Sequence, residues 1–317
     1  MHRVPDFPDQ VYVELTNACN ARCTTCATPQ MQRPRRVMSF ELFKKIIDQC
    51  AEHKAKKILP FLHGESFLVP EVLDYFAYIR EKAPASHLNV TTNGSRLTAD
   101  IAERILKQNL LDSMIVSIDG GNKKTFEQIR IGLSYDEIRE NVRSFIRRRN
   151  ELGKKKPEVS IAMVTTPENK SSRGELKRAW READQVRFSV WFNWAGQIPK
   201  KTEYGHKQNF CERLFHYMTI LADGKIALCC FDSEGEHVIG DANVTPLIDI
   251  WRSPELTRIR RLMFERQFDQ LPLCARCDFI NQPTWAQKAI RYHPFMQQNF
   301  PQATYHLENI YKRWLMR

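Results

Sequence analysis

Between Val11 and Asn193, short apolar runs alternate six times with longer amphipathic ones, and this pattern constrains the fold more than any other feature of the sequence. The short runs are Val11–Leu15, Lys57–Leu62, His87–Thr91, Ser113–Ile118, Val159–Thr165 and Val186–Asn193. Each is apolar and brief enough to read as a strand. Between the first two, Ser39 is placed to cap a helix over Phe40–Glu52, with Phe43, Ile46, Ile47 and Cys50 on one face. Cys50 therefore reads as a core residue. Further helical patterns open at Pro70 and cover Thr98–Gln108, Lys123–Ile131, Tyr135–Leu152 and Gly174–Ala183. Such alternation predicts parallel strands joined by crossover helices. The expected fold is α/β, and six units rather than eight make an open, partial (β/α)6 TIM-like barrel. Its site belongs at the C-terminal ends of the strands.

Polar residues and glycines gather at those ends. The first strand opens into a loop carrying Cys19, Cys23 and Cys26, spaced C-x3-C-x2-C. Three thiols are one short of the four protein ligands that ordinary zinc and iron–sulfur sites take, which suits a cube with one iron left open. A zinc knuckle or a disulfide cluster is the alternative. His63-Gly64-Glu65 follows the second strand, Thr91-Thr92-Asn93-Gly94 the third and Ser117-Ile118-Asp119-Gly120 the fourth. Taken singly, Asn-Gly and Asp-Gly are common turn formers.

Five more cysteines lie beyond residue 200: Cys211, Cys229, Cys230, Cys274 and Cys277. Leu221–Ile226 reads as a hairpin with an Asp223-Gly224 turn. The C-x2-C pair at Cys274 and Cys277, with Cys211 and Cys229, supplies four ligands for one closed metal site, an iron–sulfur cluster or a zinc ribbon. Cys230, beside Cys229 on a strand, points to the other face. It is a further ligand, a buried thiol or a hydrogen-atom donor to substrate, and the donor is the less favoured of these. The layout divides into a barrel (1–200), an auxiliary domain (201–285) of hairpin and helix, and a basic, aromatic, helical tail (286–317). Gly196–Gln208 links the first two.

Taken together, these motifs resemble the radical S-adenosylmethionine (radical SAM) enzymes. In that family three cysteines of this spacing hold a 4Fe-4S cluster whose open iron is chelated by SAM. The resemblance implies that Gly64 and Glu65 hold the amino group of SAM, and that Thr92, Asn93, Ser117 and Asp119 lie beside its ribose or carboxylate. His63 stands where the family has a first glycine, and Thr25 where it has an aromatic residue. The second cysteine set, with Gly224 five residues before Cys229, is similar to the SPASM extension. The further cysteines of that extension are missing, which implies its shortened Twitch form with a single auxiliary 4Fe-4S cluster.

The resemblance also implies that SAM is cleaved to a 5′-deoxyadenosyl radical, which abstracts a hydrogen atom from a substrate carbon, with the electron coming from a flavodoxin- or ferredoxin-type donor. The barrel-plus-Twitch layout is similar to that of carbohydrate-modifying members such as aminocyclitol dehydrogenases. The barrel starts at Val11 and leaves no room for the leader-recognition domain that peptide-modifying members often carry. A sugar or cyclitol, dehydrogenated or epimerised, is therefore expected, with epimerisation or cross-linking of a ribosomally made peptide as the alternative. A third class, a zinc-stabilised nucleic-acid-binding protein without catalysis, would use the net charge of +11. That charge is spread over many helices, however, at Lys44–Lys45, Arg147–Arg149, Lys154–Lys156 and Arg258–Arg261 among others, which argues against a dedicated nucleic-acid surface. The sequence has no apolar run of about 18 residues and no signal-peptide pattern, so no membrane partner and a cytoplasmic location are expected.

Overall fold

The computed structural model describes residues 4–199 and 210–279. The expected tail (286–317) and most of the expected linker lie outside the described residues. The first half of the chain alternates as its pattern requires. Strand β1 (Gln10–Val13) leads to helix α1 (Phe40–Glu52), β2 (Lys57–Leu59) to α2 (Val72–Lys82), and β3 (His87–Thr92) to α3 (Ala99–Lys107). β4 (Ser113–Ser117) precedes α4 (Lys123–Ile129) and α5 (Tyr135–Glu151), while β5 (Glu158–Thr165), α6 (Arg173–Ala179) and β6 (Gln185–Val190) complete the series. β1 to β6 pair in order, all parallel.

Local chemistry accounts for the element boundaries. Ser39 caps α1, its Oγ accepting from the Leu42 amide at 3.3 Å, and Thr98, Asn122 and Ser134 cap α3, α4 and α5 in the same way. Val11, Val13 and Leu15 are fully buried on one side of the first strand and its extension, as are Phe43, Ile46, Ile47 and Cys50 of α1. Tyr12 and Glu14 alternate with them and so occupy the opposite face. Strands and helices end within a few residues of their expected limits.

The second region departs from expectation. A short helix α7 (Arg213–His216) runs straight into β7 (Tyr217–Ile220), then β8 (Lys225–Ala227) and β9 (Val238–Asp241). β7 does not start a separate sheet. It pairs with β1, parallel and in the register Gln10 with Tyr217 and Val13 with Ile220. β8 and β9 continue antiparallel, giving one nine-stranded sheet in the order β6-β5-β4-β3-β2-β1-β7-β8-β9. The β7–β8 turn carries Gly224 at φ +89°, the left-handed conformation that glycine adopts without penalty. Helices α8 (Leu247–Trp251), α9 (Pro254–Phe264) and α10 (Pro272–Ala275) follow.

Candidate active site at the strand ends

The cysteine loop after β1 is fastened on three sides. Arg22 and Thr24 donate their amides to the Ile131 and Ile129 carbonyls at 2.8 and 2.9 Å, so the loop lies along the end of α4. The Trp194 indole, from beyond β6, donates to the Thr25 carbonyl at 2.9 Å. The Glu65 amide donates to the Ala18 carbonyl at 2.9 Å. This last contact depends on Gly64: a Cβ there would stand 2.2 Å from the Thr16 carbonyl oxygen and 2.6 Å from that of Ala18. Gly64 thus lets the β2 end lie directly against the cysteine loop.

Glu65 gathers the other strand ends. Its Oε1 accepts from the Thr92 hydroxyl at 2.8 Å and the Phe67 amide at 3.2 Å, and its Oε2 accepts from the Asn93 amide at 2.7 Å. Burial raises the Glu65 pKa and these donors counter it. Asn93 turns its side chain to Asn20 of the cysteine loop, 2.9 Å away. Thr92, Asn93, Gly64 and Glu65 therefore form one connected unit with the loop. Ser117 ends β4, half-buried. Asp119, fully buried, is spent on protein partners: Oδ1 accepts from the Val164 amide at 2.7 Å and Oδ2 from Arg130 Nε at 2.9 Å.

Among the described residues, no three His, Cys, Asp or Glu side chains are gathered tightly enough to share one metal ion. The three thiols are related instead through their charges. Burial pushes the Cys23 thiol up to about 11, Cys26 and Cys19 add to this, and Arg130 opposes it. Burial likewise raises Cys19, and Cys26 adds to it.

The second thiol set forms around the end of β8. Cys229 and Cys230 lie past the end of the strand, so strand alternation does not separate them, and the Cys230 thiol raises the pKa of Cys229. Arg213 Nη1 donates to Cys230 Sγ at 3.1 Å, and its guanidinium lies 4.5 and 4.8 Å from the Phe231 and Phe279 ring centres. Cys274 is raised by burial and by the neighbouring Cys211 and Cys277. Asn193, after β6, anchors this region: its amide donates to Asp278 Oδ1 and its side chain to the Arg276 carbonyl, both at 2.8 Å.

Between the two thiol sets lies a buried charge cluster that sequence reasoning missed. Glu14 accepts from Arg33 Nη2 and Nη1 at 2.9 and 3.1 Å, from the Ala222 amide at 2.9 Å and from His63 Nδ1 at 2.8 Å. A carboxylate only accepts, so the His63 Nδ1 carries the proton. Glu14 is fully buried, which by itself would raise its pKa, yet His63 and Arg33 hold it at about 2. His63 Nε2 is buried without a hydrogen-bond partner among the described residues. The available signal was Glu14 itself, a charge inside an alternating apolar strand. Arg130 and Arg213 gave no comparable signal.

The family model described as the Radical SAM superfamily matches residues 13–179, and that of an iron–sulfur cluster-binding domain, SPASM, matches residues 211–278. The chain belongs to the radical SAM superfamily. It is 27% identical over 173 residues to a tungsten-containing aldehyde ferredoxin oxidoreductase cofactor-modifying protein of Pyrococcus furiosus, which covers 53% of this chain and 47% of that protein. The chain spans about half the length of the curated relatives it matches. Among solved structures, BtrN in complex with AdoMet and 2-DOIA aligns with a TM-score of 0.61 at 16% identity, over 86% of this chain and 93% of BtrN. Streptococcus suis SuiB bound to the precursor peptide SuiA aligns with a TM-score of 0.66 at 16% identity, over 81% of this chain and 67% of SuiB.

The expected fold and cofactors thus stand: a partial TIM-like barrel with a small C-terminal domain, SAM, the 4Fe-4S cluster that binds it, and an auxiliary iron–sulfur cluster. The residues present fit them. Three thiols on one fastened loop, the close approach at Gly64 and the carboxylate of Glu65 suit a cluster and the amino end of SAM. Among the described residues, no helix is long and apolar enough to cross a membrane.

Proposed function

We propose that this enzyme is an oxidoreductase that dehydrogenates or epimerises a hydroxyl-bearing small molecule, a sugar or cyclitol. Bound together, the cluster and SAM supply a 5′-deoxyadenosyl radical that takes a hydrogen atom from an unactivated carbon. Cys19, Cys23 and Cys26 are assigned to that cluster, and Gly64 and Glu65 to the SAM amino group. Thr92 and Asn93 hold Glu65 and the loop in place, with Ser117 beside the cofactor. Asp119 is assigned a place beside the cofactor as well, held there by Arg130. Cys211, Cys229, Cys274 and Cys277 are assigned to the auxiliary cluster. Arg213 donates to the sulfur of Cys230, a bond that a thiol and a thiolate both accept, and Cys230 is assigned as a buried thiol beside the auxiliary cluster, with hydrogen-atom donation the less favoured role. A flavodoxin- or ferredoxin-type protein supplies the electron.

The observation that carries the substrate reading is the orphaned Nε2 of His63. A buried ring nitrogen without a partner calls for a hydrogen-bonding group, and a hydroxyl, which both donates and accepts, provides one. The test is anaerobic: reconstitute with iron and sulfide, add dithionite and SAM, and follow 5′-deoxyadenosine with carbon-deuterated sugars and cyclitols. Deuterium in the deoxyadenosine supports the proposal. Deuterium arriving only from a labelled peptide would replace it with the peptide alternative, and zinc without SAM cleavage would end both.

A further inference from the structure

We propose that Arg130, held in place by Asp119, sets how readily the cluster on the Cys19–Cys23–Cys26 loop is reduced. This rests on the assignment of that loop to the SAM-binding cluster. Arg130 Nη1 lies 3.9 Å from Cys23 Sγ, while Arg130 Nε lies 2.9 Å from Asp119 Oδ2. The side chains are 12% and 0% exposed. The backbone fixes this placement as firmly as the side chains do. Arg22 and Thr24, on either side of Cys23, are hydrogen-bonded to Ile131 and Ile129, on either side of Arg130. Residue 130 is thereby pinned opposite residue 23, and the far side of Asp119 is tied to Val164 of β5.

Reduction adds one negative charge to a cluster, so a neighbouring buried cation favours the reduced form and a buried anion opposes it. Arg130 presents the cation to the sulfur and Asp119 stands behind it. Removing Arg130 therefore acts twice, since the cation goes and the carboxylate behind it is left uncompensated. Removing the charge of Asp119 acts in the opposite direction.

The test is a potentiometric titration of the reconstituted protein, read on the EPR signal that changes when SAM is added. At fixed potential, Arg130→Met is expected to lower the reduced-to-oxidised ratio at least about tenfold, which is 59 mV for one electron. Arg130→Lys keeps the charge and should stay within about threefold of the parent on the same one-electron scale. Asp119→Asn is expected to raise the ratio. A ratio within about twofold of the parent in Arg130→Met with full iron content overturns the proposal, as does a fall in both Arg130→Met and Asp119→Asn. Should Arg130→Met lose the cluster, an unchanged ratio in Asp119→Asn overturns it. If no signal of the parent responds to SAM, the assignment of the loop itself has failed.

Discussion

Gly64→Ala is the most incisive single perturbation of this site. The added methyl would sit 2.2 Å from the Thr16 carbonyl oxygen, 2.6 Å from that of Ala18 and 2.8 Å from the Thr16 carbonyl carbon. A tolerable carbon–oxygen contact needs roughly 3.3 Å, so the β2 end must withdraw from the cysteine loop by about 1 Å. None of the obstructing atoms belongs to a flexible side chain. The withdrawal stretches the 2.9 Å bond between the Glu65 amide and Ala18, worth about 1 kcal/mol. The overpacking itself adds about 1–3 kcal/mol, giving a total of about 2–4 kcal/mol. Glu65 moves too, with the Thr92 and Asn93 groups it anchors. A misplacement of this size costs on the order of 100-fold in rate where reacting groups must be aligned. The assay is anaerobic 5′-deoxyadenosine formation alongside a thermal melt and an iron count. The auxiliary site, which Gly64 does not touch, should keep its iron. A variant that cleaves SAM within about twofold of the parent rate would refute the reasoning, because the stated displacement would then have no consequence.

Three further outcomes follow from other contacts. Cys19→Ala, Cys23→Ala and Cys26→Ala should each abolish SAM cleavage while leaving the auxiliary cluster in place, which iron analysis and deoxyadenosine chromatography will report. Glu14, depressed from 4.5 to about 2, contributes stability that is fully present above about pH 4.5 and lost as pH falls through about 2, roughly 3 kcal/mol in all. Glu14→Gln should accordingly melt earlier than the parent at pH 7, the gap narrowing as pH falls towards about 2, and a gap that stays undiminished at low pH contradicts the assignment. Ala195 holds φ +54° beside Trp194 at +51°, so Ala195→Gly should stabilise the protein by about 1 kcal/mol in a thermal melt while preserving the Trp194–Thr25 bond.

The barrel was legible because its signals are local. Period-two and period-3.6 patterns, together with the caps at Ser39 and Thr98, need only neighbouring residues to act, and the site cysteines and Gly64-Glu65 sit where those patterns end. What the sequence hid was long-range. The pairing of β7 with β1 joins residues about two hundred positions apart, and nothing in Tyr217–Ile220 distinguishes a partner in its own hairpin from one across the barrel. The Glu14–Arg33–His63 cluster draws on three separate segments and closes only when Ala222 arrives with the auxiliary region. Asp119 matched a motif position, but no local pattern announces that Arg130, eleven residues on, holds its carboxylate. Cys230 was misplaced for a simpler reason: β8 ends at Ala227, three residues earlier than the alternation argument requires.

The junction of β7 with β1 also bears on how the molecule can be taken apart. β1 is an interior strand, hydrogen-bonded to β2 on one side and β7 on the other. Cutting the chain after the barrel would leave the β7-facing side of β1 as a bare row of amides and carbonyls, the kind of edge along which chains aggregate. The cut would also remove the Ala222 amide from Glu14. The auxiliary region is therefore not a detachable accessory that could be grafted onto another barrel or trimmed away for study. It is the closing stave of this one, and the two halves should melt together in a single transition.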